Sequence, residues 1–592
     1  MSYQYQKQND THEITIERFA GVDFTTHPTK VDWTRSPDAC NMIADDTFFP
    51  VKRRGYRSIA QLEHAVHGLH SLNGELLCHS GGYLYRLTED EPVLLYDDMN
   101  GAPSQSFCMG GKLWILDGRT YLVYDGTEVK PVSEAAFVPT TTINAPPAGG
   151  GTALEAVNLL GAYRINTFVG DGTSRVFHLD TNQIDEGSVS CESCEIASVN
   201  YLSGTVTFTQ APPDGNGLAN VVIKFAKTSA YHRSLIDKCR YFGLFGGSND
   251  TRVFLTGNPD YPNQDWQSGL YDPSYFPDNG YTRVGSDASA ILGYLRQYDT
   301  QIILKEDGPD AQQYQRTFYL DENDRPAYPV RQGAEAAGVI APRSLAVLND
   351  LPIYLSELGV MGIGGTNVAE QRSVFRISGR IEAKLNREPE RANAAACCWR
   401  GSYYLALNGN CYVADGRQSK NGVPEWYFWN HIPAVCFLPQ DDALYFGTAD
   451  GRVCRFCEAG EVGEYRDDGQ PIAALWSTPL SPLGDWSRSK TLIDFYPVLM
   501  PDGVSGAEVS YRTEADAQAV RTIGMYLFSF KNLNFETFSF RSEPEILAIP
   551  VRRRKRRLHL FQAVVENRGT DQPFGLLGMV IRYRTKNKIR QT

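Results

Sequence analysis

No apolar run in this sequence approaches the ~20 residues of a membrane-spanning helix. No early stretch joins a basic start to an apolar core and a small-residue cleavage site, so no signal peptide is expected. These absences point to a product made in the cytoplasm. Catalytic signatures are missing as well. There is no Gly-x-Ser-x-Gly elbow, P-loop, HExxH or dinucleotide fingerprint placed where it could work. Glycine-rich phrases such as residues 362–365 lack a following helix and read as turns. The reading is therefore not an enzyme, with no cofactor. Helical periodicity is scarce too, and its best instance runs over residues 374–385.

Metal-binding spacing is thin. The twelve cysteines are scattered, often inside strand-like phrases, and read as buried reduced thiols. Cys191/Cys194 and Cys454/Cys457 are CxxC pairs, but they lie more than 250 residues apart, too far for a compact zinc ribbon. His64, His67 and His70 recur every third residue without a tight carboxylate partner. No metal is expected at either feature.

What is abundant is turn chemistry and aromatic strand. The 592 residues hold 53 Gly and 32 Pro, with 42% hydrophobic and 11% aromatic residues. That is enough for a large core and about three domains. Between residues 399 and 457, apolar runs such as Tyr403-Tyr404-Leu405-Ala406-Leu407 and Trp426-Tyr427-Phe428-Trp429 alternate with Asn-Gly and Asp-Gly turns. Those turns supply the positive φ of tight hairpins, and Tyr, Phe, Val and Trp suit a pleated, half-buried surface. This is a meander of strands roughly five residues long, and four such strands make one propeller blade. The phrase recurs near residues 74–86, 110–126, 241–257, 302–308 and 352–365. About six or seven blades of ~40–50 residues would fit.

The expected fold is all-β: an irregular β-propeller with an inserted small β-sandwich and a C-terminal β-sandwich-like domain. Residues 1–35 read as an arm or edge strand. Residues 36–138 and 228–470 read as the propeller. The Pro/Gly/Thr-rich stretch 139–151 opens an insertion at 139–227. Residues 471–592 form the last domain, with strands expected near 491–499, 508–511, 535–540, 558–565 and 577–583. Lys52, Arg53 and Arg54 form a small cationic cluster, read as a solvated or acid-paired face rather than a phosphate site.

Two features bear on partners. The loop 258–281 is rich in Tyr, Trp, Pro and Asp. It supports sugar stacking, with Asp260, Asp265, Asp272 and Asp278 as candidate carboxylates, or a subunit contact. The contact is the reading taken, through Tyr261, Trp266, Tyr271, Tyr275 and Phe276. The second feature is charge. From residue 552 to 592 there are twelve Lys/Arg and two acids, a net of +10; the total is −12, so the rest carries −22. Arg552, Arg553, Arg554, Arg556 and Arg557 head that basic stretch. Six consecutive cations cannot all lie on one face of a strand, so some must leave the sheet or sit in a turn.

The order of phrases carries a resemblance. Asn41-Met42 is followed by Val51-Lys52-Arg53-Arg54-Gly55-Tyr56. Gly-Gly-x-Leu-Tyr/Trp repeats come next, then residues 285–294, 300–306, 338–342 and 351–356, then Tyr403–Leu407, Val413-Ala414-Asp415 and Glu425-Trp426-Tyr427-Phe428. This succession resembles the packaged-DNA stabilisation, or tail-nozzle (tail hub), proteins of short-tailed bacteriophages, over residues 36–138 and 234–592. The insertion departs from the plainest members. The resemblance implies a structural virion protein of the phage tail, made in the host bacterial cytoplasm. It implies a ring of identical subunits, expected to be a hexamer, below the portal and adaptor proteins and in contact with tail fibre or spike proteins. Phage DNA would be retained by the ring, then pass its channel without sequence-specific binding; no membrane anchor is implied. A receptor- or glycan-binding tail-tip protein of a longer-tailed phage is the alternative, and a propeller glycoside hydrolase the third.

Overall fold

The computed structural model describes residues 11–247, 249–365, 373–420, 422–500, 504–514, 517–526, 547–548 and 555–586. The chain is an all-β, irregular β-propeller with two further β assemblies. It divides into two compact units, residues 67–339 and residues 1–66 with 340–592.

The 67–339 unit contains four antiparallel four-stranded meanders. The first is Val66–Leu72, Glu75–Ser80, Tyr83–Leu87 and Val93–Tyr96, beginning one residue before the division. Its opening hairpin turns on Asn73 (φ 50°) and Gly74 (φ 86°), the paired positive φ of a tight two-residue turn. The second is Gln105–Met109, Lys112–Leu116, Tyr121–Tyr124 and Val129–Pro131. The third is Tyr241–Phe245, Arg252–Thr256, Gln264–Gln267 and Tyr281–Arg283. The fourth is Ile291–Gln297, Thr300–Lys305, Tyr314–Arg316 and Val330–Gln332. Trp114, Tyr121, Val253, Leu255, Trp266 and Phe276 share one buried cluster between the second and third meanders.

Between those two meanders, the chain builds a pair of small sheets. One joins Thr140–Ala145, Thr152–Ala153, Tyr163–Phe168, Val221–Ala226 and Ser190–Cys191; the other joins Val176–His178, Thr205–Phe208 and Ile196–Asn200. Strict alternation along Val221–Phe225 sends Val221, Ile223 and Phe225 inward. They meet Phe168, Phe177 and Phe208, whose rings lie 5.2–5.4 Å apart in edge-on pairs. The segment 139–227 is not wholly given to these sheets. Leu159 and Leu160 belong to the cluster of Trp114 and Trp266 instead. Asn158 fixes that return: its amide donates to Phe137 O (2.9 Å) and Ser274 O (2.8 Å), and its oxygen accepts from Phe276 N (3.0 Å).

The other unit holds three meanders. Ala346–Leu348, Leu351–Ser356, Gly359–Gly364 and Ser373–Arg376 form one; Ala395–Trp399, Ser402–Leu407, Asn410–Lys420 and Val423–Asn430 form another. Asn408 (φ 51°) and Gly409 (φ 75°) make its central turn. The third takes Ala434–Gln440, Ala443–Thr448 and Arg452–Phe456 from late in the chain and Tyr56–Gln61 from its beginning. An early strand thus completes a late blade. The stretch expected to be a helix, 374–385, is instead strand Ser373–Arg376 followed by a single turn at Glu382–Leu385. Val374 and Phe375 favour the pleated edge, where they pair with Ile363 and Gly362, and Gly379 interrupts the periodicity.

This unit also has a short hairpin, Met42–Ala44 with Pro50–Lys52, and two larger sheets. Thr11–Ile16 pairs with Leu576–Thr585, which pairs with Lys490–Leu499. Ala474–Ser477, Gln562–Asn567, Val504–Arg512 and Ala517–Tyr526 form the second. Trp476, Phe495, Tyr511 and Phe561 pack in its large core cluster. The strand expected over residues 535–540 lies outside the described residues.

Candidate functional site

The aromatic loop is the first candidate, and it lies wholly in the 67–339 unit. The five aromatic side chains expected to make a contact, Tyr261, Trp266, Tyr271, Tyr275 and Phe276, do not act together. Trp266 sits inside strand Gln264–Gln267 and is buried, with Tyr261 edge-on to it at 6.1 Å. Phe276 is buried too, edge-on to Tyr121 at 6.3 Å. Both are core residues and offer nothing to a partner, which corrects the expectation for them. Tyr275 donates its hydroxyl to Ala156 O (2.9 Å) and packs on Phe137; burial pushes its phenol up to about 12. Tyr261 is half-buried against the same core, and its hydroxyl meets that of Tyr231 at 2.6 Å. Of these five Tyr271 alone projects, 58% exposed on a positive-φ turn, next to the exposed Leu270; Tyr281, at the end of the loop, is exposed as well.

Three of the four candidate carboxylates of the loop have side-chain partners or close a turn, and the fourth, Asp278, is exposed. Asp265 is buried and takes both oxygens to Arg316 (2.9 and 2.7 Å), with Tyr294 donating at 2.9 Å. Asp272 accepts from the backbone and hydroxyl of Ser274, which closes a turn. Asp260 pairs with Lys238 at 2.6 Å. Asp278 is held through its backbone to Val157 O.

Beside this loop lies a cleft of about 290 Å³ that no sequence motif announces. Helix Ala230–Asp237 forms one wall; Ser229 caps it by accepting from His232 N at 3.2 Å. Gly118 and Arg119 come from the second meander, and Lys238 and Pro259 complete the lining with Arg233, Ser234 and Asp237. Each cation has an acid: Arg119 has Asp98 (2.6 Å), Arg233 has Asp237 (3.3 Å) and Lys238 has Asp260. Asp237 stands apart because it is mostly buried. Burial raises its carboxyl to about 6, against the opposing pull of the Tyr121 amide (3.3 Å) and Arg233. It is a carboxyl able to exchange a proton near neutrality.

That position fixes a pH sign. A folded carboxyl raised above its unfolded value of 3.8 binds the proton more tightly when folded, so stability is lost as pH rises from about 4 to about 6. Asp237→Asn keeps an acceptor for the Tyr121 amide and removes the charge. It is expected to raise stability by roughly 1–2 kcal/mol at pH 7, after allowance for the lost Arg233 pair, and by almost nothing at pH 3.5. Denaturant melts at the two pH values check this, and an equal effect at both would refute it.

The cationic features divide. In the unit formed by residues 1–66 and 340–592, Arg53 is buried against Asp467 (2.7 and 2.5 Å), and Arg54 pairs with Glu464 at the surface. Lys52 is buried as well, donating to Asn567 Oδ1 (2.8 Å) and Gly569 O (3.2 Å), and burial lowers its ammonium to about 8. So Arg53 and Arg54 are acid-paired, as expected, whereas Lys52 is neither solvated nor acid-paired but buried on neutral acceptors. In the basic stretch, Arg552, Arg553 and Arg554 lie outside the described residues. Arg556 and Arg557 are exposed on strand Lys555–Leu558. Leu558 pairs with Lys490 and Arg556 with Thr491; Arg557, at φ 62°, is the unpaired residue of a bulge between them.

The sulfur and imidazole features also separate. Cys454 and Cys457 are buried, and burial pushes their thiols to about 12 and about 11; Cys191 and Cys194 are half-exposed in the insertion. Among the described residues, no group of three or more metal-ligating side chains converges. His64 is exposed, whereas His70 is buried. His70 engages Ser104 and Ser106, and Ser104 also engages His79.

No family model matches the chain, and no curated protein matches it. Solved structures show weak likeness. BamB from Moraxella catarrhalis is 10% identical, with 72% of this chain and 98% of that one covered, at a TM-score of 0.32. The computationally designed Ika8 protein is 11% identical, covering 68% and 100%, at 0.31. An exo-β-1,3-galactanase from Phanerochaete chrysosporium is 8% identical, covering 57% and 95%, at 0.22. At such scores the fold rests on the strand pairing itself.

Proposed function

We propose that this chain is a structural protein of a bacteriophage tail, forming the nozzle ring below the portal and adaptor. In that role it retains packaged DNA and gives it an exit channel at infection. The observation that carries the reading is the pairing, in one chain, of blade-type meanders with a −22 body and a +10 carboxy-terminal stretch. The order of sequence phrases supports it. An acidic body lines a channel without gripping phosphate, so DNA slides. The same body offers the basic stretch a protein partner in a neighbouring subunit. Identical subunits joined head to tail close into a ring when their rotation closes.

The test is an image of the purified assembly, expected to show a ring of six around an axial channel. A monomer placed off the axis of the particle would sink the reading. The contact has its own test. Arg552, Arg553 and Arg554 replaced together by serine should weaken assembly about tenfold, for three surface pairs at ~0.5 kcal/mol each. DNA affinity should stay nearly unchanged. Loss of tight DNA binding with assembly intact would assign the basic stretch to DNA instead. One observation favours a second reading, a glycan- or receptor-binding tail tip: Tyr231, Tyr271 and Tyr281 are all exposed in the 67–339 unit. Binding to a surface-polysaccharide panel by isolated monomers would establish that reading in place of the ring.

A further inference from the structure

In the 67–339 unit, two buried histidines are joined by serine hydroxyls into one chain. His79 Nε2 lies 3.0 Å from Gly81 O, and a carbonyl only accepts, so Nε2 carries the proton. Neutral His79 then accepts at Nδ1, and Ser104 donates to it at 2.9 Å. Ser104 has a single hydroxyl proton, now used. His70 Nε2, 2.9 Å from the same oxygen, must therefore donate. His70 Nδ1 is left to accept from Ser106 at 2.7 Å. The chain runs one way, from Ser106 through His70, Ser104 and His79 to Gly81, and it fits only two neutral rings.

The chain also ties two blades. His70 lies in strand Val66–Leu72 and His79 in Glu75–Ser80, whereas Ser106 lies in strand Gln105–Met109 and Ser104 just before it. Gly68 makes room for the joint: a Cβ there would stand 2.5 Å from Ser104 Oγ and 3.0 Å from His70 Nε2.

We propose that this chain is an acid-sensitive latch: a proton taken up by either imidazole breaks the one-way order of donors and lets the first blade part from the second. A proton on His79 Nδ1 would face the Ser104 hydroxyl donor and force it to turn. Ser104 Oγ would then have to accept from His79 and from His70 Nε2–H with its two lone pairs, and its own proton would lose the acceptor it had. Among the described residues neither ring hydrogen-bonds a carboxylate that could steady the extra charge. The titratable groups facing the pair are imidazoles: His79 faces His70, and the His67 ring lies 5.3 Å from that of His79. Burial holds His70 down to about 3. Burial and then His67 hold His79 down to about 4, against the opposing backbone carbonyls of Gly81 and Asn100.

The sign follows from these values. A released imidazole titrates near ~6.5. Between that value and about 4 the open form binds more protons than the closed one, so the closed form is fully favoured above ~6.5 and loses ground as pH falls. At pH 5 the open population rises roughly 30-fold for one histidine and up to about 1000-fold for both.

Hydrogen exchange by mass spectrometry on the full chain, at pH 7.5 and 5.0 and corrected for intrinsic rates, tests the latch. Strands Val66–Leu72 and Gln105–Met109 are expected to lose 30-fold or more of their protection at pH 5.0. Strands Ser402–Leu407 and Asn410–Lys420, which hold no histidine, are the reference and are expected to keep theirs. Unchanged protection at the histidine strands, or equal loss at the reference strands, would overturn the proposal. A folded His70→Gln/His79→Gln variant should exchange alike at both pH values, because glutamine keeps a donor and an acceptor but does not titrate. Retention of the acid response in that variant would overturn it too; if the variant does not fold, the wild-type measurement decides alone.

Discussion

Replacing Arg316 by alanine is expected to destabilise the 67–339 unit by about 3–5 kcal/mol, the cost of stranding a buried charge. For a unit of this size that is roughly 10 °C in Tm. The reason is geometric. Arg316 and Asp265 are 0% and 1% exposed. The guanidinium reaches both Asp265 oxygens, gives a further bond to Gln301 Oε1 at 2.8 Å, and lies 4.0 Å over the Phe254 ring. Alanine leaves the buried Asp265 carboxyl with the Tyr294 hydroxyl as its remaining side-chain partner among the described residues. A second variant separates the pair from its charge. Arg316→Met with Asp265→Leu removes both ions and fills the space, so it should recover most of the loss. Denaturant melts of the three proteins measure this. If the double variant is as unstable as Arg316→Ala, packing rather than stranded charge sets the cost.

That pair shows where sequence reading stops. Hairpin turns were legible, because Asn73-Gly74 and Asn408-Gly409 state a local backbone requirement in two letters. The recurrence of those turns among aromatic strands was enough for an all-β meander chain. Strand partners far apart in sequence were not legible. Nothing in residues 56–61 says that they complete a blade with residues 452–456, because register across such a separation is set by packing. The same limit governs the loop 258–281. Its composition announced aromatic contacts, but Trp266 and Phe276 face the core and Tyr271 faces outward; strand register decides the first, and the folding of the loop decides the other two. Asp237 and the His70–His79 chain were hidden for a further reason. Burial and a partner on another strand define them, and neither is encoded by neighbours along the chain.

The cluster at residues 52–54 makes the same point with a larger consequence, because Arg53 holds the closing blade in place. All its donors are placed. Nε gives to Asn41 Oδ1 (2.9 Å), Nη1 to Arg54 O (3.1 Å) and Asp467 Oδ1, and Nη2 to Asn430 O (2.9 Å) and Asp467 Oδ2. The guanidinium also faces the Trp429 ring at 5.6 Å. These contacts gather four segments of one unit three residues ahead of strand Tyr56–Gln61. Arg53→Ala is therefore expected to cost about 3–5 kcal/mol, with buried Asp467 stripped of its two-pronged partner and left to the weaker pull of Lys52. Arg53→Lys keeps the charge but not the planar fork. One ammonium cannot reach Asn41, Asn430 and both Asp467 oxygens at once, so it should cost about 2–3 kcal/mol rather than nothing. The loss should be local at first. Strand Tyr56–Gln61 joins its blade through Arg452–Phe456, and Asp467 beside Arg53 also pairs with Tyr56. In both variants, hydrogen exchange should rise first at Tyr56–Gln61 and Arg452–Phe456, before Ser402–Leu407. Uniform exchange across all three strands would mean that Arg53 stabilises the unit as a whole and does not hold its closing strand.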